Sequence, residues 1–146
     1  MSTEAVSNTS AAATASRLVV DVTPAPHATI VRPVTAWLDL SVAADFRAAL
    51  VDLVKAGHRN LVIDLGGVSF VDSSGLSALV SALKMLKVGR DRRRRPREGR
   101  SRRPVARGDV RLAALQPPVA SLLEIIRMNR VFPSYLTVEE AVKSFG

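Results

Sequence analysis

The residues that could do chemistry in this sequence are concentrated in the run Asp72–Gly75. The run holds one carboxylate, two adjacent hydroxyls and a glycine, in the order Asp-Ser-Ser-Gly. A serine hydroxyl could act as a nucleophile, be modified by another enzyme, or be presented to a partner. The plainer alternative is a helix cap, because Asp and Ser are preferred N-cap residues.

The patterns that surround catalytic serines and phosphate loops are absent from this run. A nucleophile elbow needs Gly-x-Ser-x-Gly, but Val71 stands two positions before Ser73, and Asp72 two positions before Ser74. A catalytic triad needs a histidine, and neither histidine of the chain has a recognisable partner arrangement. A phosphate loop needs a lysine, which residues 67–75 lack. The sequence therefore predicts that the chain is not an enzyme.

A helix cap alone does not account for the whole run. One of Asp72, Ser73 or Ser74 would suffice to accept from the first N–H groups of a helix. Gly75 then remains unexplained, because glycine in a helix costs about 1 kcal/mol relative to alanine. We therefore expect another backbone to approach Gly75 closely.

Hydrophobic periodicity predicts five strands alternating with four helices. The apolar residues 61–65 precede the Asp-Ser-Ser-Gly run and fit a strand covered on both faces, and a helix is predicted at 74–87. The other predicted elements are strands at 17–22, 28–34, 109–115 and near 131–135, and helices at 42–56, after Pro118 and after Thr137. This order predicts an α/β fold, with a mixed, mostly parallel sheet of four to five strands packed with about four helices.

A few residues give sharper local expectations. Ser41 is predicted to cap the first helix, and Gly57 to follow its end. Thr137 and Glu140 form the pattern of a capping box for the last helix. Pro33 lacks a backbone donor, so the second strand is predicted to lie at a sheet edge or to carry a bulge.

The composition narrows the class of protein further. The chain has no cysteine and only two histidines, so we expect no disulfide, metal site or cofactor. No apolar run approaches the roughly 20 residues that span a bilayer, so we expect no membrane insertion and predict a cytoplasmic protein. Residues 1–16, rich in Ala, Ser and Thr, are predicted to be a disordered tail, and residues 17–146 one domain.

The net charge of +8 is confined to one stretch. Residues 87–111 hold twelve Lys or Arg against three acidic residues, so the rest of the chain is close to neutral. Periodicity disappears over residues 88–108, which predicts a flexible, Arg-rich insert. Three interpretations stay open: an arm that binds nucleic acid or an acidic partner through Arg92–Arg95, a solvated loop without a partner, or a reading-frame artefact of a GC-rich coding region.

The stretch from Leu61 to Leu76 resembles the signature of STAS domains, and more narrowly that of bacterial anti-sigma factor antagonists. Its sequence is LVIDLGGVSFVDSSGL, in which Asp-Ser-Ser-Gly-Leu follows an apolar strand. Further similarities lie at Leu38-Asp39, Val110–Ala113 and Arg130–Phe132. The resemblance covers about residues 17–146 without the insert, and it implies a single STAS-like domain.

Such a resemblance implies a phosphorylation switch in transcription regulation. Ser73 would be the position that an anti-sigma factor serine kinase phosphorylates, with Ser74 as the alternative acceptor. The unphosphorylated chain would bind that anti-sigma factor and release a sigma factor, and a phosphatase would act on phospho-Ser73. The start of a helix should tolerate the phosphate, because its N–H groups favour an anion. The partner-binding residues implied are Asp39, Asp72, Ser73, Ser74, Gly75 and Leu76.

Two other functions stay open, and the sequence departs from the family in two places. The alternatives are a nucleic-acid-binding protein acting through the insert, and a STAS module in another regulatory or lipid-transport complex. The insert replaces a short Gly-rich turn of the family. Before Leu38-Asp39, Ala36 stands where glycine is usual and Trp37 where a polar residue is usual. Trp37 is either an exposed partner anchor or packed on the sheet edge.

Overall fold

A five-stranded sheet with helices on both faces forms the framework of the molecule. The structure is a computed structural model that describes residues 18–88 and 108–146. The strands are β1 Val19–Ala25, β2 Ala28–Val34, β3 Trp37–Leu38, β4 Asn60–Asp64, β5 Phe70–Val71, β6 Asp109–Ala113 and β7 Ser134–Tyr135. The helices are α1 Leu40–Lys55, α2 Ser73–Val88, α3 Pro117–Ile125 and α4 Val138–Lys143, with a 3₁₀ turn at Met128–Arg130.

The main sheet has the strand order β1-β2-β4-β6-β7. The hairpin pair β1–β2 is antiparallel, and all other neighbours in this sheet are parallel. The predicted mixed, mostly parallel sheet with four helices is therefore confirmed. Strands β3 and β5 form a separate parallel pair, which periodicity did not predict because two residues per strand show no pattern.

The apolar core lies on both faces of the sheet, and the larger part is covered by α1, α2 and α3. A smaller cluster around Val62, Ala113 and Ala141 lies under α4 on the opposite face. Leu61, Val62 and Ile63 of β4 are all fully buried, which confirms a central strand covered on both sides.

Two predictions about the first strands need correction. Strand β1 continues through Pro24 to Ala25, beyond the predicted end at residue 22. The reversal is a two-residue hairpin, with His27 in the left-handed region at φ 64°. Strand β2 lies inside the sheet and not at its edge. Pro33 is tolerated there because the pairing of β2 with β4 stops at Val31.

Local side chains set the ends of the helices, and one predicted helix start needs correction. The N-cap of α1 is Asp39, whose carboxylate accepts from Ser41 N, so the helix begins earlier than predicted. Gly57 follows the C-cap residue Ala56 at φ +107°, as predicted. Thr137 caps α4 by accepting from Glu140 N at 3.1 Å, also as predicted.

The last predicted strands are shorter than the sequence suggested. Strand β6 ends at Ala113, where the sequence predicted a strand to residue 115, because Ala114 already adopts a left-handed φ of 60°. Strand β7 comprises only Ser134–Tyr135, while the preceding Phe132 is a fully buried core residue.

The residues that flank the Arg-rich insert are held close together. Lys87 Nζ lies 3.5 Å from Asp109 Oδ1, and Asp109 N donates to Arg59 O at 3.1 Å. Gly108 packs against the backbone of Arg59 so closely that a Cβ atom would lie 1.7 Å from its carbonyl oxygen. The predicted tail at 1–16 and all of the insert between Val88 and Gly108 lie outside the described residues.

Candidate functional site

Two helices begin side by side at the Asp-Ser-Ser-Gly run. Helix α1 follows β3 and helix α2 follows β5, and these two strands pair in parallel, with Trp37 opposite Phe70 and Leu38 opposite Val71. The sequence carries the same order in both places, an aromatic residue, an aliphatic residue and an aspartate. The N-termini of the two helices are consequently neighbours.

The carboxylate of Asp72 joins the two helix starts. Its Oδ1 accepts from Ser74 N at 2.8 Å and from Gly75 N at 3.1 Å, in the first turn of α2. Its Oδ2 accepts from Leu40 N at 3.2 Å, in the first turn of α1. One side chain thus satisfies three backbone donors that helices leave free, and it fixes the two helices relative to each other.

The close backbone approach predicted at Gly75 is confirmed. A Cβ atom at Gly75 would lie 2.3 Å from the carbonyl oxygen of Leu38, so an alanine there cannot fit without movement of the backbone. Gly75 and Leu76 are buried, with Leu76 only 8% exposed. In this conformation the two residues position α2 against β3 and present little surface to a partner.

The two serines differ in their surroundings. Ser73 is the first residue of α2 and is exposed, while Ser74 is half-buried. Within residues 18–88 and 108–146, the hydroxyl of Ser73 has no hydrogen-bond partner. Of the two candidate hydroxyls, that of Ser73 is the more accessible to a modifying enzyme.

Two carboxylates cap the neighbouring helix starts without a compensating cation in the described part of the chain. Asp39 Oδ1 accepts from Ser41 N at 3.0 Å and from Ser41 Oγ at 2.6 Å. Neither Asp39 nor Asp72 forms a salt bridge within the described part of the chain. Asp72 and Asp39 thus already accept from Leu40 N, Ser41 N, Ser74 N and Gly75 N, so these four donors are not available to a phosphate on Ser73.

Three large apolar side chains lie exposed around this site. Trp37 is 61% exposed, Leu40 75% and Phe70 49%. Trp37 is therefore an exposed residue and is not packed on the sheet edge. The carbonyl of Ala36 accepts from Ser69 N at 2.8 Å and from Phe70 N at 3.2 Å, which holds the β3 and β5 segments together.

Sequence reasoning missed Leu40, Phe70 and the double cap formed by Asp72. Both residues lie between predicted elements, Phe70 after the strand at 61–65 and Leu40 before the helix at 42–56. The repeated order Trp37-Leu38-Asp39 and Phe70-Val71-Asp72 was the available signal, since it marks two strand ends with equivalent caps.

Other features of the molecule lie away from Ser73. A cavity of about 550 Å³ opens between the β1–β2 hairpin and α4, where its lining includes His27, Glu139 and Lys143. His58 Nδ1 lies 2.8 Å from Thr29 Oγ1, at the amino end of β4. Among residues 18–88 and 108–146, no three His, Asp or Glu side chains are grouped so that they could hold a metal ion. No helix in the same ranges has the length and apolar character needed to cross a membrane.

Comparison with known proteins identifies the fold. The family model described as STAS domain matches residues 9–91. A solved anti-sigma factor antagonist from Mycobacterium paratuberculosis superimposes with a TM-score of 0.69 at 20% identity, over 88% of this chain and 93% of that one. The anti-sigma factor antagonist SpoIIAA in its unphosphorylated form gives 0.63 at 16% identity, over 86% and 95%.

The same fold also occurs in a very different protein. The murine anion transporter Slc26a9 matches with a TM-score of 0.57 at 17% identity, over 84% of this chain but only 18% of the transporter. No curated protein matches the sequence. At these identities the structural matches establish the fold, and the function has to be argued from the residues of the site.

Proposed function

The chain belongs to the STAS domain family, and on this basis we propose that it is an anti-sigma factor antagonist switched off by phosphorylation of Ser73. Unphosphorylated, it binds an anti-sigma factor serine kinase, and the sigma factor is released. A phosphatase restores the binding form. The protein acts in the cytoplasm, together with the sigma factor.

The observation that carries the proposal is the environment of Ser73. Its hydroxyl is exposed and unbonded at the start of a helix. Four neighbouring backbone donors, Leu40 N, Ser41 N, Ser74 N and Gly75 N, are already satisfied by the carboxylates of Asp72 and Asp39. A capping role is therefore taken by the two aspartates and leaves Ser73 without a structural task. An accessible serine on a rigid helix start is suited to entering a kinase active site.

The switch acts through charge at the contact surface. Phosphorylation adds about −1.5 to −2 charges at neutral pH. That charge comes beside Asp72, whose carboxylate already accepts from Ser74 N and Gly75 N, so these two donors of the first turn are not available to compensate it. Burying such an unpaired anion against a partner costs several kcal/mol, and 1.4 kcal/mol already corresponds to a factor of about ten in affinity. Release of the partner then needs no unfolding of the domain.

The other site residues divide into contact and positioning roles. Ser73, Ser74 and the neighbouring exposed side chains contact the anti-sigma factor. Asp39, Asp72, Gly75 and Leu76 hold the two helix starts in place, since they are capping or buried groups. Ser74 is the alternative phosphate acceptor, and its partial burial makes it the slower one.

Phosphopeptide mapping after incubation with candidate anti-sigma factor kinases and ATP tests the proposal. Each kinase whose gene neighbours the gene of this chain is purified. It is then mixed with the wild-type chain and with the variants Ser73→Ala and Ser74→Ala. The expected result is one phosphate on wild type and Ser74→Ala, and none on Ser73→Ala. Equal labelling of Ser73→Ala would assign the phosphate elsewhere, and absence of any binding or phosphorylating kinase would refute the function.

A further inference from the structure

The three exposed apolar residues at the site, Trp37, Leu40 and Phe70, form one surface, which we call the apolar patch. Trp37 and Phe70 stand opposite each other in the parallel pair β3–β5, on strands that lie about 4.8 Å apart. The next residues in both strands, Leu38 and Val71, are buried at 0% and 4% exposure. Because side chains alternate along a strand, the two aromatic rings project from the same outer face.

The apolar patch is continuous with the environment of Ser73. Leu40 and Ser74 both donate their backbone N–H to the carboxylate of Asp72, so the first residues of α1 and α2 are neighbours. Phe70 lies three positions before Ser73 in the same segment. A partner that covers Ser73 therefore meets the apolar patch as part of the same contact.

The chemistry of this surface indicates what kind of partner fits. Aromatic residues exposed beside polar groups are typical of the centre of a protein interface, where Trp is enriched among residues that dominate affinity. The two nearby carboxylates are engaged as helix caps, so the surface around the rings is apolar with a mildly acidic border. A fitting partner has an apolar pocket and few acidic groups at its rim.

The chain's own N-terminal segment is a poor occupant by composition. Residues 1–16 contain only Met1 and Val6 as large apolar side chains, and the remainder is small or polar. Such a segment cannot bury much aromatic surface.

We infer that the apolar patch is the anchor by which the anti-sigma factor serine kinase holds this chain, with Trp37 as its central residue. This inference rests on the proposed function, because it names the contact that supplies affinity at the Ser73 site. The patch is uncharged and separate from the hydroxyl that reacts. Its loss therefore weakens binding and raises KM for phosphorylation, while kcat for the bound complex stays the same.

The experiment uses the full chain and the purified kinase that phosphorylates wild-type Ser73. Trp37→Ser and Phe70→Ser are compared with Ile125→Ser, since Ile125 is also exposed, at 76%, but lies at the carboxyl end of α3. The expected result is a Kd for the kinase about 30-fold higher for Trp37→Ser, as for hot-spot residues, and unchanged for Ile125→Ser. Trp37→Tyr should restore most of the affinity, and all variants should keep the wild-type Tm.

Intrinsic fluorescence gives a second readout, because Trp37 is the only tryptophan of the chain. Addition of a tryptophan-free form of the kinase should shift Trp37 emission to the blue and reduce its quenching by acrylamide. If Trp37→Ser binds the kinase as tightly as wild type while Ser73 is still phosphorylated, the inference is overturned and the proposed function stands. If no kinase binds wild type, the proposed function fails and the inference with it.

Two other occupants of the apolar patch would each give a different experimental result. Self-association in sedimentation that disappears in Trp37→Ser would show that a second copy covers the patch. Blue-shifted, poorly quenched emission of a monomeric wild-type chain without kinase would show that the N-terminal segment covers it. Either result would overturn the assignment of the patch to the kinase.

Discussion

Replacement of Asp72 by alanine should cost more stability than replacement of any other helix cap in the described part of the chain. Its carboxylate accepts from three backbone donors in two helices, Ser74 and Gly75 in α2 and Leu40 in α1. Asp39 is the matched control, because its carboxylate accepts from the backbone of one helix only, at Ser41 N.

The magnitude follows from the number of helices left without a cap. Loss of an Asp cap typically costs about 1 kcal/mol, with a range of about 0.5–2. Asp39→Ala should therefore lose about 1 kcal/mol, and Asp72→Ala about 2–3 kcal/mol, because both helix starts and their mutual position are affected. The loss of stability in Asp72→Asn should lie between those of Asp39→Ala and Asp72→Ala, since an amide keeps one acceptor oxygen and loses the other.

Urea denaturation followed by far-UV circular dichroism measures these differences as shifts of midpoint at constant m-value. The Asp72→Ala free energy of unfolding should be lower than that of Asp39→Ala by at least about 1 kcal/mol. Equal losses for the two variants would refute the double cap. An Asp72→Asn variant as stable as wild type would show that the bond to Leu40 N contributes nothing.

Three further perturbations have defined outcomes. Gly75→Ala should lower the free energy of unfolding by about 2 kcal/mol, because its Cβ meets Leu38 O at 2.3 Å, whereas Gly67→Ala, with no atom within 4 Å, should change it by no more than about 0.5 kcal/mol. Equal shifts of Tm for the two variants in thermal denaturation would contradict the packing. Deletion of residues 90–107 should leave Tm and the rate of Ser73 phosphorylation unchanged, because the salt bridge Lys87–Asp109 closes the base of the insert about 21 Å along α2 from Ser73. A loss of folding or of phosphorylation would contradict this. Ser73→Asp should lower the affinity for the anti-sigma factor at least tenfold, whereas Ser74→Ala should leave that affinity unchanged. A pull-down in which Ser73→Asp binds the anti-sigma factor as tightly as wild type would contradict the charge mechanism.

The parts of the fold that sequence predicted well are those with strong local causes. The buried strand β4 was visible as the apolar residues 61–65. Three of its five residues, Leu61, Val62 and Ile63, are fully buried, and all five pair with β6. Gly57 and Thr137 act at helix ends as their residue types suggest. The close approach at Gly75 was also predictable, because glycine in a first turn needs a reason outside the helix.

The parts that sequence could not supply depend on contacts between distant residues. The pairing of Trp37 with Phe70 joins segments 33 positions apart, and two-residue strands leave no periodic signal. Ser41 has the residue type of an N-cap, but Asp39 takes the role because its carboxylate reaches Ser41 N and Ser41 Oγ. Which carboxylate caps two helices is likewise decided by tertiary packing, so the bond from Leu40 N to Asp72 could be found only in the structure.

The affinity of the anti-sigma factor kinase for the chain before and after stoichiometric phosphorylation of Ser73 is the most direct test of the phosphorylation switch. Isothermal titration with both forms, and with Ser73→Ala as the form that cannot be modified, gives the three dissociation constants. We predict that the phosphorylated chain binds at least about 100-fold more weakly than the unphosphorylated chain, while Ser73→Ala stays within about threefold of it. Equal affinity of the phosphorylated and unphosphorylated forms, with both folded, would contradict the phosphorylation switch at Ser73.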